Sequence, residues 1–273
     1  MSGFAAIAPL FVPADRPERY AKAAASGADA VIVDLEDAVA PARKAMARAA
    51  LAEGFATLPA GVAAFVRVNA AGTEWHEDDL AAIVALPVAG IVLAKAETPA
   101  QAERAAMGRG VIALIESARG MAMAREIAAS PAVRRLAFGS IDYCADLGAT
   151  HLREVLLPAR AELVLASRLA GLAAPLDGVT PALDDAALIE DDARHAMSLG
   201  FGGKLCIHPK QIGPARAGFA PAAAEIDWAR QILAAGDEGA VAVGGTMVDA
   251  PVRLRARQIL ARAGETREQD GTA

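Results

Sequence analysis

The sequence predicts an α/β fold, a (β/α)8 TIM barrel with a C-terminal helical or lid extension, on three observations. Short runs rich in β-branched residues alternate with alanine-rich helical stretches, the runs number eight, and the alternation stops after the eighth. Eight βα units in roughly 200 residues suit a closed barrel, whereas a doubly wound open sheet of the Rossmann type usually has fewer strands.

Taken in order, the strand runs are 7–13, 30–35, 63–69, 90–95, 111–116, 136–140, 175–179 and 204–208. Helices are expected between them at 17–26, 42–57, 77–86, 99–107, 121–129, 152–170 and 184–199. Beyond His208 the pattern changes to a helix over 221–235, an irregular Gly-rich stretch over 238–248 and a last helix over 250–263. We therefore expect a barrel over 1–210 and a segment over 211–273 that completes the same domain.

Composition narrows the function. Hydrophobic residues make up 55% and aromatics 4%, which describes a large aliphatic core. A net charge of −6 and the lack of any basic run argue against nucleic acid or an anionic membrane surface as partner. The apolar start has its first cation only at Arg16 and reads as a strand, not a signal peptide. The longest uncharged stretch, 80–94, is 15 residues and is interrupted by Pro87, too short for a span. Cys144 and Cys206 stand alone, outside any C-x-x-C pattern, which suits a reducing cytoplasm.

Ionisable residues at the ends of barrel strands need a reason, because inward side chains fill a packed core. They recur here as Asp34, Glu36 and Asp37 after the second run, Arg67 and Asn69 on the third, Lys95 and Glu97 on the fourth, and Glu116 on the fifth. Asp142 follows the sixth, Asp177 lies on the seventh, and Lys204 and His208 bracket the eighth. All lie toward C-terminal strand ends, so they are expected to converge on one mouth.

Two readings stand for Glu116 and Asp142. Each is a helix cap, or the two share a cation, and an oxygen-only pair suits Mg2+. The four histidines show no paired zinc spacing. Arg67, flanked by Val66 and Val68, needs either a strand-end acid or a ligand carboxylate as partner. Lys95 has the chemistry for a Schiff base, but the metal pair makes one unnecessary, and a salt bridge with Asp, Glu or substrate is the better reading. Phosphate-binding, dinucleotide-binding and serine-hydrolase glycine motifs are absent from the sequence.

Six ordered blocks then carry a resemblance. They are Leu10-Phe11-Val12-Pro13-Ala14-Asp15-Arg16-Pro17, Asp34-Leu35-Glu36-Asp37-Ala38-Val39, Arg67-Val68-Asn69, Ile115-Glu116-Ser117, Phe138-Gly139-Ser140-Ile141-Asp142 and Gly203-Lys204-Leu205-Cys206-Ile207-His208-Pro209. Together they resemble the citrate lyase beta subunit-like enzymes of the HpcH/HpaI aldolase superfamily.

The resemblance implies Glu116 and Asp142 as Mg2+ ligands and Arg67, with Glu116, as substrate-binding. Arg67, Asp249, Glu36 and Asp37 are the catalytic candidates, and Arg16 and Lys95 are assigned to cofactor binding. Asp249 enters through Met247-Val248-Asp249, which is similar to a Met-Val/Ile-Asp motif of the coenzyme A lyases. The implied chemistry is Mg2+-dependent carbon–carbon cleavage of a β-hydroxyacyl thioester, coenzyme A-linked or on a carrier protein, giving a 2-oxoacid. A homo-oligomer, trimer or hexamer, with the tail closing a neighbour's site is also implied. Ala14 replaces a usual Gly, and Gly244-Gly245-Thr246 replaces a common Asp-Gly-Lys. The glycine pair is expected to act as a hinge.

Overall fold

The computed structural model describes residues 3–235, 241–243 and 246–264. The chain divides into two compact units, Met1–Phe219 and Ala220–Ala273. The division falls at 219/220 instead of 210/211 because helix Ile212–Phe219 packs on helix Ala186–Leu199 and so belongs to the barrel layer.

Eight parallel strands build the first unit: β1 Leu10–Pro13, β2 Ala30–Asp34, β3 Ala63–Val68, β4 Gly90–Leu93, β5 Val111–Ile115, β6 Val133–Phe138, β7 Leu176–Asp177 and β8 Gly203–Lys204. Each pairs with the next in chain order. Closure comes from a parallel bridge between Leu10 and Cys206, with Phe11 N–H donating to the Cys206 carbonyl and Cys206 N–H to that of Pro9. Each of the eight runs read from the sequence overlaps a strand of this barrel, although β6 starts three residues before its run and β8 shares only Lys204 with its own.

Alternation along the strands sorts side chains into two layers. Ala30, Ile32, Phe65, Val92, Ile112, Leu114, Ala137, Leu176 and Leu205 fill the barrel interior. Their neighbours Val31, Val33, Val66, Val68, Leu93, Leu136 and Phe138 face the helices. The two-residue rhythm continues past the apolar part, so the layer a strand-end residue enters follows from the residue before it.

The N-terminal end of the barrel is closed by one buried cation. Arg135 donates from Nε to the Ala174 carbonyl at 2.7 Å and from Nη1 to those of Phe4 and Ala6 at 2.9 and 2.6 Å. Burial pushes its guanidinium down to about 10, with Asp29 acting in the opposite direction. Phe4 meets Phe65 edge to face at 5.1 Å, which fixes the N-terminal segment against the interior layer.

Two helices lie where the sequence reading placed none, Ser140–Leu147 and Ile212–Phe219. The first starts directly after β6 and carries Asp142 in its first turn. The second contains Gly213 and Pro214, which read as breakers, yet a proline in the first turn costs a helix little. No helix among the described residues is long and apolar enough to cross a membrane. Cys144 and Cys206 are free, buried thiols.

In the second unit, helices Ala223–Ala234 and Ala250–Arg262 pack through Ala229, Ile232, Ala256 and Ile259, together with Val248. Two short antiparallel strands, Val241–Val243 and Thr246–Val248, precede the last helix. The expected hinge pair Gly244-Gly245 lies outside the described residues.

Candidate active site

Asp34, Arg67 and Glu116 continue the inward rows of β2, β3 and β5, following Ile32, Phe65 and Leu114 by two residues each. Asp34 and Arg67 are also direct register partners across β2 and β3. The guanidinium meets Asp34 through a fork, Nε to Oδ1 and Nη2 to Oδ2, both at 2.6 Å. Nη1 pairs with Glu36 Oε2 at 2.9 Å, and the Phe11 ring lies 4.8 Å from the guanidinium carbon. Burial works against this charge, but Asp34 and then Glu36 and Glu116 outweigh it, so Arg67 is held firmly protonated.

Asp34 anchors more than Arg67. Its two oxygens also accept the backbone N–H groups of Glu36 at 2.9 Å and Ala38 at 3.1 Å, which folds the chain sharply after β2. That turn puts Glu36 beside Arg67 and leaves Asp37 exposed at the rim, its N–H 3.2 Å from Glu36 Oε2. Asp34 is among the strand-end charges expected at the mouth but has no role assigned from the sequence, although its even spacing from Ile32 is the available signal.

Glu116 is buried, and its Oε1 accepts the Lys95 backbone N–H at 2.8 Å. Gly139, at the end of β6, makes room for it: a Cβ there would lie 2.2 Å from Glu116 Oε2. Desolvation pushes the Glu116 carboxyl up to about 8, Lys95 and Arg67 pull it down, and Glu36 and Asp142 add to the rise. Asp142, on the first turn of helix Ser140–Leu147, is far more open, with 39% of its side chain accessible.

Lys95 joins these groups. Its ammonium lies 2.6 Å from Glu36 Oε1, 3.8 Å from Asp142 Oδ1 and 3.9 Å from Glu116 Oε1. Burial disfavours its charge, but the bond to Glu36 and the field of Glu116 more than compensate, so its pKa is raised. An ammonium held this way is a poor nucleophile, which removes the Schiff-base reading.

Formal charges in direct ion-pair reach are negative on Asp34, Glu36, Glu116 and Asp142 and positive on Arg67 and Lys95, a balance of −2 with Glu116 ionised and −1 while burial keeps it protonated. Of these groups Asp34, Arg67, Glu116 and Asp142 line a cavity of about 380 Å³, together with Asp37 and Phe11, whereas Glu36 and Lys95 pair with them from outside its lining. A divalent cation fits that charge balance, and a pair of carboxylates with open positions is the donor set Mg2+ accepts. Among the described residues no cluster of three or more His, Cys, Asp or Glu side chains forms a fuller cage.

The remaining strand-end residues do not reach this mouth. Asp177 and Lys204 follow and precede interior leucines, Leu176 and Leu205, and therefore face the helices. Asp177 bonds Arg160 Nε at 2.9 Å and Lys204 Nζ at 3.3 Å in a sealed cluster. The expectation that every strand-end charge converges on one mouth is corrected here, and the reason is side-chain parity. His208 caps the turn Pro209–Gln211 through Nδ1, which accepts the Lys210 N–H at 3.2 Å. Arg16 pairs with Glu18 at the surface and is not among the cavity-lining residues. Asp249 caps helix Ala250–Arg262, its Oδ1 accepting the Val252 N–H at 3.1 Å.

The chain is similar to known proteins over most of its length. The family model described as HpcH/HpaI aldolase/citrate lyase matches residues 8–209. A citrate lyase subunit beta-like protein of Mycobacterium tuberculosis is 42% identical over 265 residues, covering 94% of this chain and 95% of the relative. A (3S)-malyl-CoA thioesterase of Cereibacter sphaeroides is 36% identical, with 93% of each chain covered. Among solved structures, the protein CitE from Mycobacterium tuberculosis, in complex with magnesium, acetoacetate and coenzyme A, superposes with a TM-score of 0.88 at 41% identity. That match covers 96% of this chain and all of the other.

Proposed function

The chain belongs to the HpcH/HpaI aldolase/citrate lyase family, and from that premise we propose that it is a Mg2+-dependent carbon–carbon lyase. Its substrate is a β-hydroxyacyl thioester of the malyl-, citramalyl- or citryl-coenzyme A type, cleaved reversibly to a 2-oxoacid and an acyl thioester. The observation that carries this reading is the cavity at the strand ends, where Arg67 stands beside Glu116 and Asp142 in a cluster with more acids than bases.

Glu116 and Asp142 are the residues that would hold the metal. Bound there, Mg2+ supplies Lewis-acid polarisation of the substrate oxygens and a template for their orientation.

The protein's own groups account for the rest. In cleavage the hydroxyl loses its proton, its carbon becomes a carbonyl, and the carbon–carbon bond breaks with the electron pair left on the thioester α-carbon, which then takes up a proton. Arg67 offers N–H donors beyond those committed to Asp34 and Glu36, and its rigid setting suits it to a carboxylate or developing oxyanion. Asp249 handles the proton, an assignment supported by the Met247-Val248-Asp249 motif. Asp37, open at the rim, is the second candidate, and Glu36 serves by holding Arg67 and Lys95.

The working form in this proposal is a cytoplasmic homo-oligomer, a trimer or hexamer, in which Asp249 of one chain serves a neighbour's mouth. Arg67→Ala and Asp249→Asn proteins, each inactive alone, should then regain about a quarter of wild-type activity after co-refolding in equal amounts. No recovery in the mixture would remove the shared site. The chemistry is tested by a panel of β-hydroxyacyl thioesters with Mg2+, read as 2-oxoacid release. Free thiol without 2-oxoacid would favour hydrolysis, the second reading suggested by the thioesterase relative. Activity confined to carrier-protein thioesters would place the chain as the lyase subunit of a larger citrate lyase.

A further inference from the structure

Lys95 has a backbone that its residue type disfavours. Its φ is 47°, in the left-handed region, and apart from glycines only Met107 shares that sign among the described residues. Two residues after Leu93, which faces the helices, regular alternation would send Lys95 the same way. The left-handed turn re-aims it, and its ammonium ends within 4 Å of three carboxylates at the mouth. The same residue's N–H holds Glu116 Oε1 at 2.8 Å, so one position both orients a carboxylate and neutralises it. A non-glycine residue kept in this conformation beside a site marks a place where the surroundings over-determine the strain.

Accessibility separates Lys95 from Arg67. The Arg67 side chain is 11% exposed and locked in its fork, whereas that of Lys95 is 37% exposed and bonded at short range to Glu36 alone. Its longer separations, 3.8 Å to Asp142 and 3.9 Å to Glu116, place a single positive charge between the two groups assigned above to the metal. A lysine stem has four rotatable carbons and can withdraw its head from that place while the backbone stays fixed.

We propose that Lys95 is a resident counter-ion, a positioning residue whose ammonium stands between Glu116 and Asp142 in the metal-free protein and is displaced by the divalent cation. The proposal rests on the reading of Glu116 and Asp142 as metal ligands. It follows from the ammonium's place within 4 Å of both carboxylates. It also makes the lysine a competitor of the metal, so that its charge sets the affinity of the site. Removing the charge should tighten Mg2+ binding, and removing Mg2+ should then harm the charge-deleted protein more than the wild type.

The test is calorimetric titration of MgCl2 into wild-type, Lys95→Met and Lys95→Arg proteins, with thermal melts in EDTA and in saturating Mg2+. Lys95→Met should bind Mg2+ on the order of tenfold more tightly than wild type, since a unit charge about 4 Å from both ligands is gone. Lys95→Arg, which keeps the charge, should stay at or below wild-type affinity. In EDTA the Lys95→Met protein should melt below wild type, and saturating Mg2+ should close the gap. Wild-type or weaker Mg2+ binding by Lys95→Met, or a melting gap that Mg2+ leaves unchanged, overturns the counter-ion role while the metal reading survives. Failure of the wild type itself to bind Mg2+ overturns the metal reading and the counter-ion with it. If Lys95→Met does not fold, Lys95→Arg decides: Mg2+ binding tighter than wild type in that variant refutes a role for charge.

Discussion

Two charged clusters stand on the same end of one barrel, and they differ in direction, exposure and charge balance. At β2, β3 and β5 the acids and Arg67 point inward, border a cavity and carry a surplus of negative charge. At β7 and β8, Asp177 and Lys204 point toward the helices and meet Arg160 of helix Arg153–Leu169, a group sealed from solvent with one acid against two bases. The first arrangement has room and charge for a ligand. The second has neither, and serves to fasten strand to helix. A strand-end charge therefore becomes a site only when the two-residue alternation brings it inside.

The sharpest way to break this contrast is Asp177→Ala, which leaves Arg160 and Lys204 buried without their shared partner. Unfolding free energy should fall by about 3–5 kcal/mol, measured in urea, as expected when one member of a buried ion pair is removed. A loss under about 1 kcal/mol would mean that the sealed cluster does not hold the fold. Glu116→Ala should show the opposite profile. Turnover should drop by about 10²–10³-fold, on the scale of losing one preorganised electrostatic contact, and Mg2+ binding should weaken in calorimetry while urea stability changes little. Asp142→Ala should behave alike, and intact Mg2+ affinity in both variants would make them structural acids.

Arg67→Lys sharpens the comparison at smaller scale. It keeps the charge but breaks the fork to Asp34, so kcat/KM should fall about tenfold to a hundredfold, with some loss of stability because Asp34 is also an anchor. Near wild-type kinetics would show that the fork geometry is dispensable. The smallest effect is in pH. Burial raises the Asp177 carboxyl, but Lys204 and Arg160 lower it further, so its folded pKa lies below the unfolded one. Its stabilisation is complete above the ordinary carboxylate range and is lost as pH falls through the depressed folded value. Asp177→Asn should flatten that acid limb of the stability profile, and an unchanged limb would assign acid unfolding to other carboxylates.

Much of the fold was legible because each strand is an apolar run bounded by turn residues, and parallel strands buried on both sides need such runs. The acidic rim was legible for the converse reason, as charges that a core cannot accept. What escaped was direction. Asp177 and Glu116 look alike in a string of letters, and only the parity set by Leu176 and Leu114 separates them. Lys95 defeats parity itself, since nothing in its residue type announces a left-handed backbone. Asp34 was hidden among three acids, although its register with Arg67 follows once both strands are placed. Asp142 seemed to lie in a loop because helix Ser140–Leu147 begins without a gap after the strand.

The cation at the opposite end of the barrel bears on how the chain is made. Arg135 holds the carbonyls of Phe4 and Ala6 from more than a hundred residues away, and it reaches the Ala174 carbonyl as well. The bonds that seat Leu10 and Phe11 come from Cys206, later still. On a ribosome that extends the chain by about 5–20 residues per second, Phe4 and Ala6 must wait about six seconds or more for Arg135. This segment is thus made well before the residues that hold it in place. During that interval β1 has only β2 to pair with, and its other edge is open to whatever else is nearby.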